Sequence, residues 1–451
     1  MQDQVSIRRI IHVSRHPVGE SIRGARAIKE LGGIVLFGIC ERAPEADVSN
    51  VFDDLVFVED THDAKQLIAA ARDLVKKHGP LEQMVTAQET LLEPVAVATE
   101  ALGLRGMRVA TVRRTLDKSS LKRILEQAGI NTARDKLVTS KTDAREFVSQ
   151  AGFPVVLKPL NGSGGLATWC IRNAEQLDVA LDLVQPSTGN AFLAEDYLQG
   201  QELSIDTITI ANEPRFHSIC CYRPSILEAL EDSEIQWTSV MPREIEGAVY
   251  RDFIEQGLEA VRKLEVGNAM THMEGFLLKA GGLSFTDATL RPAGARIAPM
   301  LAYAYDIDPH LAWARVMLDG CFDGPWERKY AVGTVFLRGL GSGLVKEVHG
   351  MESVEAQFGG ILVDTRMPVI GAKKSVTYTG DGYITVRHPR TQVVEDALDF
   401  VSRTVQITYT NSAFSPDVSA SVLWKERMQY FDKELNKPAW ENDILPAMSD
   451  R

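Results

Sequence analysis

Apolar residues recur along this chain in two rhythms, and the places where the rhythm changes predict its elements. Residues 7–14, Ile-Arg-Arg-Ile-Ile-His-Val-Ser, read as a short buried strand. A helical pattern through Ala25, Ile28 and Leu31 follows, and Gly32-Gly33 stops it. Residues 34–40 and 55–60 read as two further strands, 63–78 as a helix and 84–86 as a strand. Strands alternating with helices predict a parallel sheet covered on both faces, here over residues 1–113. No G-x-G-x-x-G follows the first strand, so no dinucleotide is assigned to this unit. Its ligand edge is expected at the strand C-termini, where His16 and Glu89 sit in loops. Each of these two serves either structure or a ligand.

The pattern then changes. Residues 115–130 predict one helix with Leu121, Ile124, Leu125 and Ala128 on one face and Gly129 as its stop. A second helix is expected over 142–151. An apolar strand follows, ending in Lys158-Pro159, and then Asn161-Gly162-Ser163-Gly164-Gly165. Backbone N–H groups of such a turn beside a lysine can cradle phosphate oxygens. The lysine precedes the glycines, so this is not a Walker A loop. Residues 192–198 read as a strand entering a turn, 203–210 and 217–222 as an antiparallel pair, and 248–264 as an amphipathic helix.

The next stretch alternates twice, over 272–278 and 283–289, around Lys279-Ala280-Gly281-Gly282. A turn centred between Ala280 and Gly281 sets Glu274 opposite Asp287, with Cβ atoms about 4.5–5.5 Å apart on one face. Facing carboxylates repel unless a cation lies between them. With Arg291 four residues on, the pair suits a divalent cation and a phosphate. The other reading is a hairpin whose charges are solvated. Beyond it come Gly333-Thr334-Val335-Phe336-Leu337-Arg338, a stretch from Gly339 to Gly343 that reads as a turn or else as a phosphate contact, an Asp381-Gly382 hairpin, a helix over 391–405 and a closing strand Gln406-Ile407-Thr408-Tyr409. The chain after about 425 reads as helix plus a loose end.

Composition narrows the function. The 451 residues allow about three domains at about 150 residues each. A formal charge of −12 gives no basic footprint, so no nucleic acid is expected as partner. The five cysteines show no C-x-x-C spacing and read as reduced thiols of a cytoplasmic protein. No signal peptide and no apolar run of membrane-spanning length is read.

The ordered series of segments resembles the ATP-grasp superfamily, specifically its carboxylate–amine ligases, over roughly residues 100–320. The segments are Asp117-Lys118, Lys158 with the glycine loop, Glu195-Asp196-Tyr197-Leu198, Gln201-Glu202-Leu203-Ser204-Ile205-Asp206, His272-Met273-Glu274 and Asp287-Ala288-Thr289-Leu290-Arg291-Pro292. The resemblance implies an α/β chain, α+β in its central region. It would comprise a Rossmann-like N-terminal domain (1–113), a lid subdomain (114–190), a large subdomain (191–327) and a small β-rich C-terminal lobe (328–451). It implies ATP, with Lys118 and Lys158 on the phosphates and Gly162, Ser163, Gly164 and Gly165 as a lid. Glu195 would face the adenine amino group, backbone from Asp196 through Tyr197 to Leu198 would read the ring edge, and Glu202 would take the ribose hydroxyls. Phe276 either stacks on adenine or packs in the core. Glu274 and Asp287 would hold Mg²⁺, with Mn²⁺ as the alternative ion.

The family pattern there is Glu-x-Asn, and Asp287-Ala288-Thr289 departs from it. Aspartate is one methylene shorter and threonine offers a hydroxyl with less reach, so Thr289 is left unassigned. Arg291 would meet a phosphate or the intermediate. Arg296 meets either a substrate carboxylate or a surface acid. The implied reaction is ADP-forming amide or peptide synthesis through an acylphosphate, with small-molecule carboxylate and amine substrates of the amino-acid class. Two alternatives stand: a carboxylate–amine ligase of nucleotide biosynthesis, and a nucleotide-binding protein without catalysis. The donor pocket is expected around a loop after Cys221, including Tyr222, Arg223, Trp237 and Met241. Homodimerisation is expected from the resemblance alone.

Overall fold

The computed structural model describes residues 7–43, 48–160, 165, 168–232, 235–411 and 424. The N-terminal unit comprises β1 (Arg8–Val13), α1 (Gly19–Glu30), β2 (Ile34–Cys40), β3 (Asp54–Phe57), α2 (Ala64–His78), β4 (Gln83–Val85) and α3 (Leu92–Ala101). Its sheet runs β3-β2-β1-β4, parallel throughout, as expected. Successive strand side chains point to opposite faces. Ile11, Val13, Phe37 and Ile39 therefore meet Leu67, Leu74 and Val95 of α2 and α3. Ile10 and Leu36 meet Ala25 and Ile28 of α1. Burial on both faces explains why these strands are apolar without alternation.

The expected single helix at 115–130 is two, α4 (Val109–Leu116) and α5 (Lys118–Gln127). Asp117 breaks it. Its backbone is extended, and its carboxylate accepts a 2.7 Å bond from the Ser120 amide, capping α5. This cap starts α5 at Lys118. After it come β5 (Asp135–Val138), α6 (Lys141–Ala151), β6 (Val155–Pro159), β7 (Trp169–Ile171), α7 (Ala174–Val184) and β8 (Phe192–Asp196). These strands form an antiparallel sheet, β5-β8-β6-β7. Val155, Leu157, Trp169 and Phe192 pack against Phe147, Leu177 and Leu181 of α6 and α7. Alternation along β6 puts Lys158 on the other face with Val156, whose cross-strand partner is Glu195.

The remaining elements are β9 (Gly200–Ile210), β10 (Glu213–Arg223), α8 (Ile226–Glu231), β11 (Trp237–Met241), α9 (Ala248–Leu264), β12 (Ala269–Leu278), β13 (Leu283–Thr289), α10 (Ile297–Tyr305), α11 (Pro309–Asp319), β14 (Ala331–Leu337), β15 (Ser342–His349), α12 (Met351–Phe358), β16 (Leu362–Arg366), β17 (Gly382–His388), α13 (Thr391–Thr404) and β18 (Gln406–Asn411). One antiparallel eight-stranded sheet, β13-β12-β9-β10-β11-β14-β17-β16, carries most of them. It runs through position 328 without a break, so the C-terminal segment extends the central sheet. Among the described residues, β15 and β18 form the separate two-stranded piece. Asp381-Gly382 is not a hairpin turn. Gly382 opens β17 opposite Leu337, and residues 367–381 are a long connection. The C-terminal calls beyond 424 lie outside the described residues. Helix α1 packs on α11, which docks the N-terminal unit against the central region.

The hairpin β12–β13 reaches the expected pairing by an unexpected route. Near the turn Leu277 faces Leu283 and Phe276 faces Ser284, one residue off the register drawn from the glycine pair. A bulge then leaves Thr286 unpaired and restores Glu274 opposite Asp287. Among the described residues, no helix is long and apolar enough to cross a membrane.

Candidate active site

A cavity of about 270 Å³ lies between the four-stranded and eight-stranded antiparallel sheets. Its wall includes Lys118, Lys158, Glu195, Glu202, Glu274, Phe276, Asp287 and Arg291, with Glu89 from the N-terminal unit and Tyr378 from the 367–381 connection. Cations and carboxylates alternate along it. Lys118 Nζ is 2.8 Å from Asp287 Oδ1, and Lys158 Nζ is 3.9 Å from Oδ2 of the same carboxylate. Lys158 also lies 2.8 Å from Glu195 Oε2, whose other oxygen is 2.6 Å from Lys122.

Burial would lower the Lys158 pKa, but Glu195 and then Asp287 raise it. Burial would raise Asp287 and Glu195, but the lysines hold both below the usual carboxylate range. The cavity thus keeps a charged Lys158 beside two ionised acids. Such charges are costly to bury unless they are paired, and here they pair with one another.

On the hairpin, His272 and Glu274 share a face of β12. His272 Nδ1 lies 2.9 Å from Asp206 Oδ1 and Nε2 3.2 Å from Glu274 Oε1. Burial opposes its charge, yet Asp206 and Glu274 raise its pKa to about 10. Glu202 is the exception among the acids. Burial first, then the Glu274 charge, pushes it up to about 8, although it accepts a 2.6 Å bond from the Ile226 amide.

That shift makes the nucleotide-free, metal-free protein pH-sensitive. The fold retains a Glu202 proton that the unfolded chain, with an ordinary pKa near 4.5, has released. This contribution is present below pH 4.5 and is lost as pH rises through about 8. Glu202→Gln should flatten this slope, gaining about 4 kcal/mol relative to wild type between pH 5 and pH 9. Urea denaturation at both pH values measures it, and parallel wild-type and variant curves would refute it.

The chain has known counterparts in sequence and in fold. Residues 115–213 match the model of the RimK-like ATP-grasp domain. The described fold superposes on an L-amino acid ligase from Bacillus licheniformis with a TM-score of 0.73, covering 90% of this chain and 99% of that one at 18% identity. The chain thus carries a RimK-like ATP-grasp domain over residues 115–213 and shares its fold with that ligase. An N5-carboxyaminoimidazole ribonucleotide synthetase from Thermotoga maritima shares the ATP-grasp fold with a TM-score of 0.64, 19% identity and coverage of 89% and 99%. In sequence, the chain is 24% identical over 286 residues to an alanine–anticapsin ligase of Bacillus subtilis, 59% of this chain and 60% of that protein. The chain thus spans less than two thirds of the length of that relative.

Within this ATP-grasp frame, the expected site residues fall in three groups. Lys118, Lys158, Gly165, Asp196, Tyr197, Leu198, Glu202, Glu274, Phe276, Asp287 and Arg291 all line the one cavity. Gly165 has φ +67°, and a Cβ there would press on Leu230 at 2.7 Å, so glycine closes the lid side onto α8. Glu195 is on the wall too, but both its oxygens are held by lysines rather than offered to an adenine amino group. Gly162, Ser163 and Gly164 lie outside the described residues.

Arg296 is turned away. Its guanidinium pairs with Asp364 and stacks 4.0 Å from the Tyr383 ring centroid, while neighbours Ala295 and Ile297 reach the cavity. The expected donor pocket is also revised. Tyr222 and Arg223 end a strand rather than a loop. Tyr222 reaches the wall, but Trp237 and Met241 are fully buried core, with Trp237 packed on Phe336 and Tyr378. Arg223 pairs with Glu395.

Lys122, Asp206 and Tyr378 had no role in the sequence reading. Lys122 had a signal: it lies four residues after Lys118 and beside Leu121 on the buried face of α5. Asp206 had none, since the β9–β12 register that sets it opposite His272 joins residues 66 apart in the chain. Tyr378 had none, because it sits in an irregular connection far along the chain.

Proposed function

We propose that this chain is an ATP-dependent, ADP-forming carboxylate–amine ligase whose substrates are amino acids. One observation carries the proposal: a single cavity gathers Lys118, Lys158, the facing Glu274–Asp287 pair and Arg291. Oxygen donors facing one another beside ammonium groups suit a divalent ion and a triphosphate together. Glu274 and Asp287 would hold Mg²⁺ or Mn²⁺. When bound, that ion supplies charge neutralisation for phosphate oxygens.

Lys118 and Lys158 then bind phosphate oxygens, and Arg291 meets the transferred group. A substrate carboxylate oxygen attacks the γ-phosphorus, the bond to the β-phosphate oxygen breaks, and ADP leaves. An amine nitrogen next attacks the acyl carbon, inorganic phosphate departs, and the nitrogen loses a proton. The first step brings two anions together, so charge neutralisation is the main task of the wall. Asp196 to Leu198 and Phe276, at one end of the cavity, fit the base of the nucleotide. Arg291 is paired with Glu89 at 2.5 Å on the same wall. A carboxylate and a guanidinium side by side match the ammonium and carboxylate of an amino acid.

A ligase of nucleotide biosynthesis would need free cations near the N-terminal loops for a phosphorylated substrate. Arg8 is instead engaged by Glu82 and Asp319, and Arg15 by Glu41. The five unpaired cysteines support a reducing, cytoplasmic setting.

Phosphate release from ATP with pooled amino acids tests the proposal. Saturable release that requires added amino acids is expected. Nucleotide binding without release under any pool would overturn it in favour of a binding protein without catalysis.

A further inference from the structure

We propose that Tyr378 is a further catalytic residue, whose hydroxyl donates a hydrogen bond to the substrate-acid oxygen that becomes the oxyanion when the amine attacks. The inference rests on the ligase reading of the same cavity and deepens it. It gives a role to a side chain that the ion-pair chain of the wall does not engage.

Tyr378 stands at a corner of the turn 377–380, which is closed by a 3.2 Å bond from the Gly380 amide to the Thr377 carbonyl. Gly380 has φ +61°, and a Cβ there would strike the Leu337 carbonyl, so glycine lets the turn sit on the end of β14. Ser375, Thr377 and Thr379 take up one another's hydroxyls at 2.9 and 2.8 Å. Asp381 closes the base of the loop. It accepts from the Ser375 amide at 2.7 Å and from the Tyr409 hydroxyl of β18 at 2.5 Å. Tyr378, between Thr377 and Thr379, is turned to the cavity instead. Its ring meets the fully buried Trp237 edge-on, with centroids 4.8 Å apart and planes at 83°. A side chain on an irregular connection is thereby fixed from three directions, by β14, by β18 and by Trp237.

The hydroxyl so positioned has no use within the protein. A tyrosine O–H away from bulk water normally finds a partner, yet among the described residues no protein group hydrogen-bonds this one. The charges around it are those of Glu274, Arg291, Glu202 and Glu89. Burial first, then Glu274, raises the phenol pKa, so the group keeps its proton and acts as a donor rather than a base. A substrate carboxylate on Arg291, with its ammonium on Glu89, brings an acceptor oxygen among these charges. Glu274 and Glu89 repel that oxygen, and a neutral O–H donor offsets the repulsion without competing for the cation.

The second chemical step is where such a donor matters most. The amine nitrogen attacks the acyl carbon, and the carbonyl π electrons move onto its oxygen. A preorganised donor aimed at that oxygen stabilises the charge as it develops. The carbonyl re-forms as the bond to phosphate breaks, inorganic phosphate leaves and the nitrogen gives up a proton. Tyr378 keeps its own proton throughout.

The test compares wild type, Tyr378→Phe and Tyr378→Leu in the full chain. Three quantities are read: steady-state phosphate release with amino acids, ADP binding by calorimetry without them, and the melting temperature. Phenylalanine keeps the ring on Trp237 and removes the hydroxyl alone. Its kcat is expected to fall about 10²–10³-fold, the loss that follows removal of one oxyanion donor. ADP affinity and melting temperature should stay at wild-type values. Tyr378→Leu should lose as much turnover and also melt lower, because Trp237 loses its partner ring. A Tyr378→Phe kcat within twofold of wild type would overturn the proposal. So would an amino-acid KM that rises with kcat unchanged, since that places the hydroxyl in ground-state binding. A matching fall in ADP affinity or melting temperature would make the hydroxyl a support of the fold, and would overturn it as well. Wild type that binds ADP yet releases no phosphate with any amino-acid pool would overturn the ligase reading and this inference together. Active wild type with an equally active Tyr378→Phe overturns this inference alone.

Discussion

Asp287→Asn is expected to lower amino-acid-dependent phosphate release by at least about 10²–10³-fold, the scale on which single charge-stabilising groups act in enzyme sites. The folded state should survive it. Asparagine keeps the length and one oxygen of aspartate, and the side chain is about one-third exposed toward the cavity. What disappears is the negative charge that faces Glu274 and balances Lys118 at 2.8 Å and Lys158 at 3.9 Å. A divalent ion then loses a charged ligand, and both lysines lose the carboxylate that holds them toward the phosphates. Glu274→Gln should have an effect of similar size. Circular dichroism and a melting curve establish folding, and steady-state phosphate release gives the rate. Near-normal turnover in either folded variant would reject the pair as the metal seat.

The largest stability effect is expected from Lys122→Met. Lys122 is only 2% exposed. Its ammonium donates to the Ala133 carbonyl at 2.8 Å and lies 2.6 Å from Glu195 and 3.5 Å from Asp135. Methionine fills the volume but leaves Glu195 with Lys158 as its remaining cationic partner in the ion-pair chain. Breaking a buried ion pair from one side costs about 3–5 kcal/mol, because the surviving charge stays out of water. The urea midpoint should shift by that amount. The cost should be smaller in a Glu195→Gln background, where the partner charge is already gone, with a coupling of about 1–3 kcal/mol. A loss below about 1 kcal/mol, or strict additivity, would show that the pair is not energetically linked. Nucleotide affinity should fall too, since Glu195 also holds Lys158 at 2.8 Å.

Most of the fold was legible because its cues are local. The helix Ala248–Leu264 was expected over 248–264, and its apolar stripe at Phe253, Val261 and Leu264 is the buried face. The parallel N-terminal sheet followed from unalternating apolar strands between helices. The errors have local causes as well. The apolar pattern runs the helix on through Asp117, whereas the Asp117-Lys118 segment marks a helix start, and the cap on Ser120 decides for the start. Asp381-Gly382 carries hairpin chemistry, but Gly382 is drawn into a long strand by pairing with Leu337.

The chemistry of the wall was legible in part. Lys158 follows an apolar strand, and strand alternation sends it away from the core occupied by Leu157. Glu274 and Asp287 were found by counting from the turn, although the bulge at Thr286 makes that count correct only in its upper half. Which charges neutralise which was not legible. Glu195 with Lys122, Arg291 with Glu89, and Arg296 with Asp364 are separated by 73, 202 and 68 residues. No periodicity reports a contact at such distance.

The sequence alone determined the elements, the order of the cationic and acidic segments, and the facing of two carboxylates across one hairpin. Each follows from backbone geometry acting over a few residues. Tertiary structure decided which acids remain free to receive ligands. Glu195 is consumed by lysines, Arg296 is tied to the C-terminal part of the sheet, and His272 is brought between Asp206 and Glu274. Coulombic pairing depends on distance through space, and that distance exists only once the sheets have packed. The hairpin supplies the facing carboxylates, and the elements packed around it set their charge.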